Sequence, residues 1–163
     1  MSVGVDDEQD AAGWIDALAL EAHPAGGFFR QYYRAPFPGA AERPLITVIY
    51  YLLTRERPRA GLHRLTADSL YFHHAGGTLR IVSVGAAGDL CEARLGPPDG
   101  FQAEVAGGRW KGLELVSGPW ALISEAVVPG WTPADHEVAD RSLQATVTPA
   151  LWAELAPFVG GGA

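Results

Sequence analysis

The sequence predicts an all-β barrel or sandwich with one short helix at each end. Apolar and aromatic runs of strand length follow one another from Phe28 to Val127, with starts spaced roughly every 8–12 residues, the spacing of sandwiches and barrels. The 20 glycines and 12 prolines are scattered between these runs instead of being gathered in one linker, as expected of many short elements joined by turns. Only two stretches carry apolar residues at helical spacing, and they lie at the two ends of the chain.

Residues 1–10 hold four acidic residues and no apolar segment; a disordered start is expected, and a signal peptide is not. Ala11, Trp14, Ile15 and Leu18 share one face of a helix over 11–20. His23-Pro24-Ala25-Gly26-Gly27 ends it in a turn. Phe28–Tyr33 reads as a strand, and Pro36–Pro44 as a proline-rich loop. Leu45–Leu53 is the clearest buried strand, followed by a charged turn over Arg55–Ala60. Further strands fall near 61–65, 68–74, 78–84, 89–95, 101–105, 110–116 and 120–127, set off by glycine pairs and Gly-Pro steps. Leu151, Trp152 and Leu155 mark a C-terminal helix between Pro149 and Pro157, and a loose tail follows at Gly160–Ala163. Nothing divides the chain, so residues 11–159 are expected to form one domain.

Charge narrows the range of partners. With 12 basic and 19 acidic residues the chain carries −7, which disfavours nucleic acid. No apolar run approaches membrane-spanning length. Cys91 stands alone, excluding an internal disulfide and a cysteine zinc site; it is expected to be a small buried strand residue. A cytoplasmic protein is expected. High Ala, Gly and Arg beside a single lysine, Lys111, suggest a GC-rich bacterial genome.

Several segments, in order, resemble one family. Residues 20–34 (LEAHPAGGFFRQYYR) are similar to its opening LxPHPEGGyFxExYR, and 47–53 (TVIYYLL) to its TxIYFLL. His63-Arg64 with Asp68 resembles HRxxxDExWhfyxG, and Leu95-Gly96, Trp110 and Val128-Pro129-Gly130-Trp131 resemble later landmarks. On these residues the chain is identified as a member of the Cupin_5 family, over roughly residues 14–140. The resemblance implies a cupin double-stranded β-helix, a jelly-roll barrel, forming a homodimer with a pocket in the lumen. It implies little about activity.

A metal-binding cupin shows H-x-H-x3-E-x6-G and then P-x-G-x2-H, whose ligands converge on one divalent ion. Placing His63 on the first ligand puts Leu65 on the second, Ser69 on the third and Gly76 on the glycine; Lys111 takes the last. One imidazole beside an alkyl chain, a hydroxyl and an ammonium is a poor ligand set. No metal and no cofactor is therefore expected, unless other histidines rebuild a site.

Strand alternation then assigns the pocket. If Ser69 faces the lumen, so do Tyr71 and His73, while Leu70, Phe72 and His74 face away. The expected catalytic set is His63, His73, Tyr71 and Lys111, with Ser69, Tyr51, Arg34 and Leu65 as ligand-binding residues. Imidazole titrates near neutral pH and suits proton transfer; Lys111 would stabilise developing negative charge. The expected function is binding of a small organic molecule followed by isomerisation, epimerisation or cyclisation, with His63 or His73 as the acid–base group.

Plainer readings stand beside each residue. His73 also suits a core imidazole bonded to a carbonyl, Tyr71 a volume filler, and Lys111 a chain reaching the barrel mouth. His23-Pro24 reads as a structural turn, Asp68 as a turn cap or a partner of Arg64, and Asp135-His136-Glu137 as a solvated edge. A binding or sensing module without turnover, and a metal-dependent dioxygenase or lyase, are the alternative functions.

Overall fold

The computed structural model describes residues 7–36, 38–39 and 43–160. Two antiparallel sheets face each other. Helix α1 (Asp7–Ala17) leads through β1 (Glu21–Ala22) to β2 (Phe28–Ala35) and β3 (Ile46–Thr54). Then follow β4 (Arg59–Arg64), β5 (Asp68–Gly76), β6 (Leu79–Val84), β7 (Leu90–Leu95), β8 (Gln102–Val105), β9 (Trp110–Leu115) and β10 (Trp120–Val128). The short β11 (Glu137–Val138) and helix α2 (Pro149–Leu155) complete the chain. One sheet has the order β1-β2-β3-β10-β5-β8 and the other β11-β4-β9-β6-β7. This is the jelly-roll barrel expected from the sequence.

The core lies between the sheets, where alternate residues of facing strands meet: Leu53, Tyr71, Leu79, Ile81, Leu113 and Ile123 are all buried there. Each end helix covers an outer face. Ala11 and Leu20 pack with Leu52, Trp120 and Leu122 outside the first sheet. Leu151, Leu155 and Phe158 pack with Leu62, Val82 and Val84 outside the second. Thr148 caps α2, its hydroxyl accepting from the Leu151 amide at 3.3 Å.

The strand runs read from sequence fall where expected; the differences are local. The disordered start assigned to 1–10 is corrected at its end, because α1 begins at Asp7; residues 1–6 lie outside the described ones, as do 161–163 of the expected tail. Cys91 is exposed on edge strand β7, not buried. Asp68 caps the Gly107 amide at 2.8 Å, while Arg64 pairs with Glu137.

Two irregularities position the site. The β4–β9 ladder pairs Ala60 with Leu113 and then slips so that His63 lies opposite Lys111. The extra residue at Gly61–Leu62 releases the Gly61 peptide groups from the ladder. Its N–H instead donates to the Ala25 carbonyl at 2.7 Å, pinning the 23–27 loop against β4. Gly26 is required there: its φ is +109°, and a Cβ would sit 2.1 Å from the Arg59 carbonyl oxygen.

Candidate active site

A cavity of about 520 Å³ opens between the sheets. Most of its wall is apolar, including Phe29, Ile49, Leu65, Leu113 and Val127. Its polar groups are His23, Gln31, Thr47, Tyr51, His63, Glu125 and His136. That mixture, an apolar wall with a few convergent polar groups, is the form of a small-molecule site.

Beneath the cavity lies a buried charge network. Lys111, on β9, is 1% exposed; its ammonium donates to Glu125 Oε1 at 2.8 Å and to the Ser69 hydroxyl. Tyr71, directly opposite Glu125 in the β5–β10 ladder, donates to the same Oε1 at 3.0 Å. Lys111 and Tyr71 both bond Oε1, and among the described residues no hydrogen bond reaches Oε2. Burial pushes the Glu125 carboxyl up, but the Lys111 ammonium together with the neighbouring charge and hydrogen bonds outweighs it and holds the group well below the ordinary carboxylate range. Burial and Glu125 both push the Tyr71 phenol up, so it stays a neutral donor.

His63 stands across the ladder from Lys111. Its Nδ1 donates to the Gly61 carbonyl at 2.9 Å. Burial, and then the nearby Lys111 ammonium, lower its pKa to about 4. The ring is therefore neutral at pH 7, with the lone pair on Nε2. His136 packs edge-on to His63, with ring centres 5.2 Å apart, and lies against Trp131. Burial lowers its pKa as well. Tyr51 donates its hydroxyl to the Gly26 carbonyl and carries the edge of the His23 ring.

The structure brings together most of the residues singled out from sequence, in two layers. His63, Tyr51 and Leu65 line the cavity. Ser69, Tyr71 and Lys111 meet below it and act on it through Glu125. Two candidates lie elsewhere. His73 sits two residues past Tyr71, in register opposite Ile123 and just before the β5–β10 ladder slips; its Nε2 bonds the Gly77 carbonyl at 2.8 Å, and its ring lies near Phe101 and Gly96. Arg34 is exposed on β2 opposite Thr47 and does not line the cavity.

Three site residues escaped the sequence reading. Glu125 is the lone charge in the apolar run WALISEAVV, a visible flag for a paired buried group. His23 belongs to the segment read only as a turn. His136 was grouped with its neighbours as a solvated edge, yet the three diverge: Asp135 pairs with Arg43 at 2.7 Å, Glu137 pairs with Arg64, and His136 faces the cavity.

The residues at the barrel's divalent-ion positions do not fit such an ion. Leu65 offers no donor atom, the Ser69 hydroxyl already accepts from Lys111, and the Lys111 ammonium has no lone pair. Among the described residues, no three His, Cys, Asp or Glu side chains are placed to share one ion.

A family model described as Cupin superfamily (DUF985) matches residues 12–139. The chain belongs to the Cupin_5 family. A solved protein of Shewanella oneidensis is similar to this cupin at 31% identity, covering 91% of this chain and 96% of its own, with a TM-score of 0.84. A hypothetical protein from Leishmania major is similar at 25% identity over 91% of this chain and 98% of its own, with a TM-score of 0.83. A dTDP sugar isomerase from Desulfovibrio desulfuricans shares the cupin fold at 17% identity and a TM-score of 0.53, covering 78% of this chain and 88% of its own. No curated protein matches the chain.

Proposed function

We propose that this cupin binds a small organic molecule in its lumen and moves a proton on it without a metal ion, as an isomerase, epimerase or cyclase. The observation that carries this reading is His63: a neutral imidazole on the cavity wall, its Nδ1 proton committed to Gly61 and its Nε2 lone pair left to act as base. Glu125 supports the reading as a fixed acceptor that orients the ligand. Lys111 and Tyr71 hold that carboxylate ionised and in place, so they are positioning residues in this scheme.

The reading extends to a homodimer in the cytoplasm. Among the described residues, no helix is long and apolar enough to cross a membrane. Tyr32 and Tyr33 are exposed on β2 and Phe72 on β5 of the same sheet, offering apolar surface for a second copy.

The test is solvent-deuterium incorporation, followed by NMR, into a panel of small ketones, lactones and amides bearing acidic C–H bonds. Wild-type protein is expected to exchange at least one compound, and His63→Gln to slow that exchange by about 100-fold or more. Exchange unaffected by His63→Gln contradicts the assignment of the base. Tight binding of a panel member without exchange contradicts turnover and favours a binding or sensing module.

A further inference from the structure

The backbone fixes two histidines of the cavity in opposite tautomers. A carbonyl only accepts, so the 2.9 Å contact between His63 Nδ1 and the Gly61 oxygen places the proton on Nδ1 and leaves Nε2 as an acceptor. A backbone amide only donates. The 3.0 Å bond from the Ala25 N–H to His23 Nδ1 therefore makes that nitrogen the acceptor, and neutral His23 carries its proton on Nε2. Burial lowers the pKa of both rings, favouring the neutral forms. Gly61 and Ala25 are themselves joined by their 2.7 Å backbone bond, so one short piece of main chain sets both rings.

The charge of the cavity points the same way. No Arg or Lys lines it. The only lysine of the chain is bonded to Glu125 and Ser69, and neither Lys nor Arg occurs among the residues outside the described ones. Among the described residues the single lining carboxylate, Glu125, is thus balanced from below, and an incoming anion would meet it with no free cation to receive it.

We propose that the lumen selects an uncharged carbonyl compound, its carbonyl oxygen on the His23 Nε2–H and an adjacent acidic C–H against His63 Nε2. This rests on the acid–base reading above. His63 takes the proton as the C–H electron pair forms a C=C bond and the carbonyl π pair moves onto oxygen. His23, remaining neutral, donates a hydrogen bond to that oxygen. Return of a proton from the His63 imidazolium to carbon restores the carbonyl and the neutral base, so the cycle consumes no redox partner. His23 becomes a specificity-determining and catalytic residue, and anionic substrates such as nucleotide sugars are excluded.

Long-range ¹H–¹⁵N spectra of the histidine rings at pH 7, with titrations of cyclohexanone, cyclohexanecarboxamide and cyclohexanecarboxylate, test this. His63 is expected as the Nδ1–H tautomer and His23 as the Nε2–H tautomer. The two uncharged probes should shift both rings, with the carboxylate binding about tenfold more weakly or worse. His23→Phe, which keeps a ring against Phe29 and Tyr51, should weaken the uncharged probes about tenfold, and His23→Gln, which keeps a donor, should retain most of their binding. Identical tautomers, or preference for the carboxylate, overturns the inference. Opposite tautomers and neutral selectivity without deuterium exchange leave it standing as a binding specificity and sink the proposed turnover instead.

Discussion

Lys111 Nζ lies 2.8 Å from Glu125 Oε1, joining the two sheets across the barrel core. Lys111 is the only lysine in a chain that otherwise uses arginine. A fully buried ammonium is costly unless paired, and here a carboxylate, a hydroxyl and the face of Tyr71, 5.5 Å away, surround it. The pair charges the floor of the cavity without giving it a net charge.

Removing one partner should therefore hurt more than removing both. Lys111→Met leaves Glu125 buried and unpaired and is expected to cost about 3–5 kcal/mol in urea denaturation. Lys111→Met with Glu125→Leu should cost less than the sum of the single changes, since no charge remains uncompensated. Additive costs would show that the two groups do not depend on each other.

Acid should loosen the fold through His63. Its folded pKa, about 4, lies below the ordinary 6.5. Between those values the unfolded chain binds a proton that the folded one does not, so stability is complete above pH 6.5 and falls as pH drops toward 4, by up to about 1.4 kcal/mol per pH unit for this group. Lys111 and His136 face His63 and reinforce the effect; the Glu125 carboxylate opposes it. The slope of unfolding free energy between pH 7 and 5 should be shallower in His63→Gln than in wild type.

His73→Ala should leave ligand binding unchanged within about twofold, because the ring bonds Gly77 and lies outside the cavity. Loss of that bond is expected to cost about 1 kcal/mol of stability. Calorimetric titration of any bound probe separates this outcome from the loss expected for His63→Gln.

Gly26→Ala should displace the 23–27 loop, because the new methyl meets the Arg59 carbonyl at 2.1 Å and the residue has φ +109°. The expected result is destabilisation by at least about 1–3 kcal/mol together with loss of the His23 tautomer preference in ¹⁵N spectra.

The fold was legible because strand alternation and glycine punctuation are local signals. The same alternation placed Ser69 and Tyr71 inward, and both are fully buried. It misled at His73, because alternation gives the face and not the position along the strand: the register runs unbroken from Tyr71 to His73, so the ring shares Tyr71's face, but it meets the Gly77 carbonyl, Gly96 and Phe101 instead of the cavity. Glu125 was visible as a lone charge in an apolar strand. His23 and His136 were not, because each reaches the cavity from an irregular segment held by contacts far along the chain, as Gly61 holds the first and Arg43 and Thr66 hold Asp135 beside the second.

The most direct measurement is deuterium exchange into a responsive carbonyl compound by chelator-treated protein, with and without added divalent metal, for wild type and His63→Gln. Metal-independent acid–base chemistry predicts that wild-type exchange survives chelation, gains nothing from added metal, and drops by about 100-fold or more in His63→Gln. Exchange abolished by the chelator and restored by a divalent ion, or undiminished in His63→Gln, would contradict it.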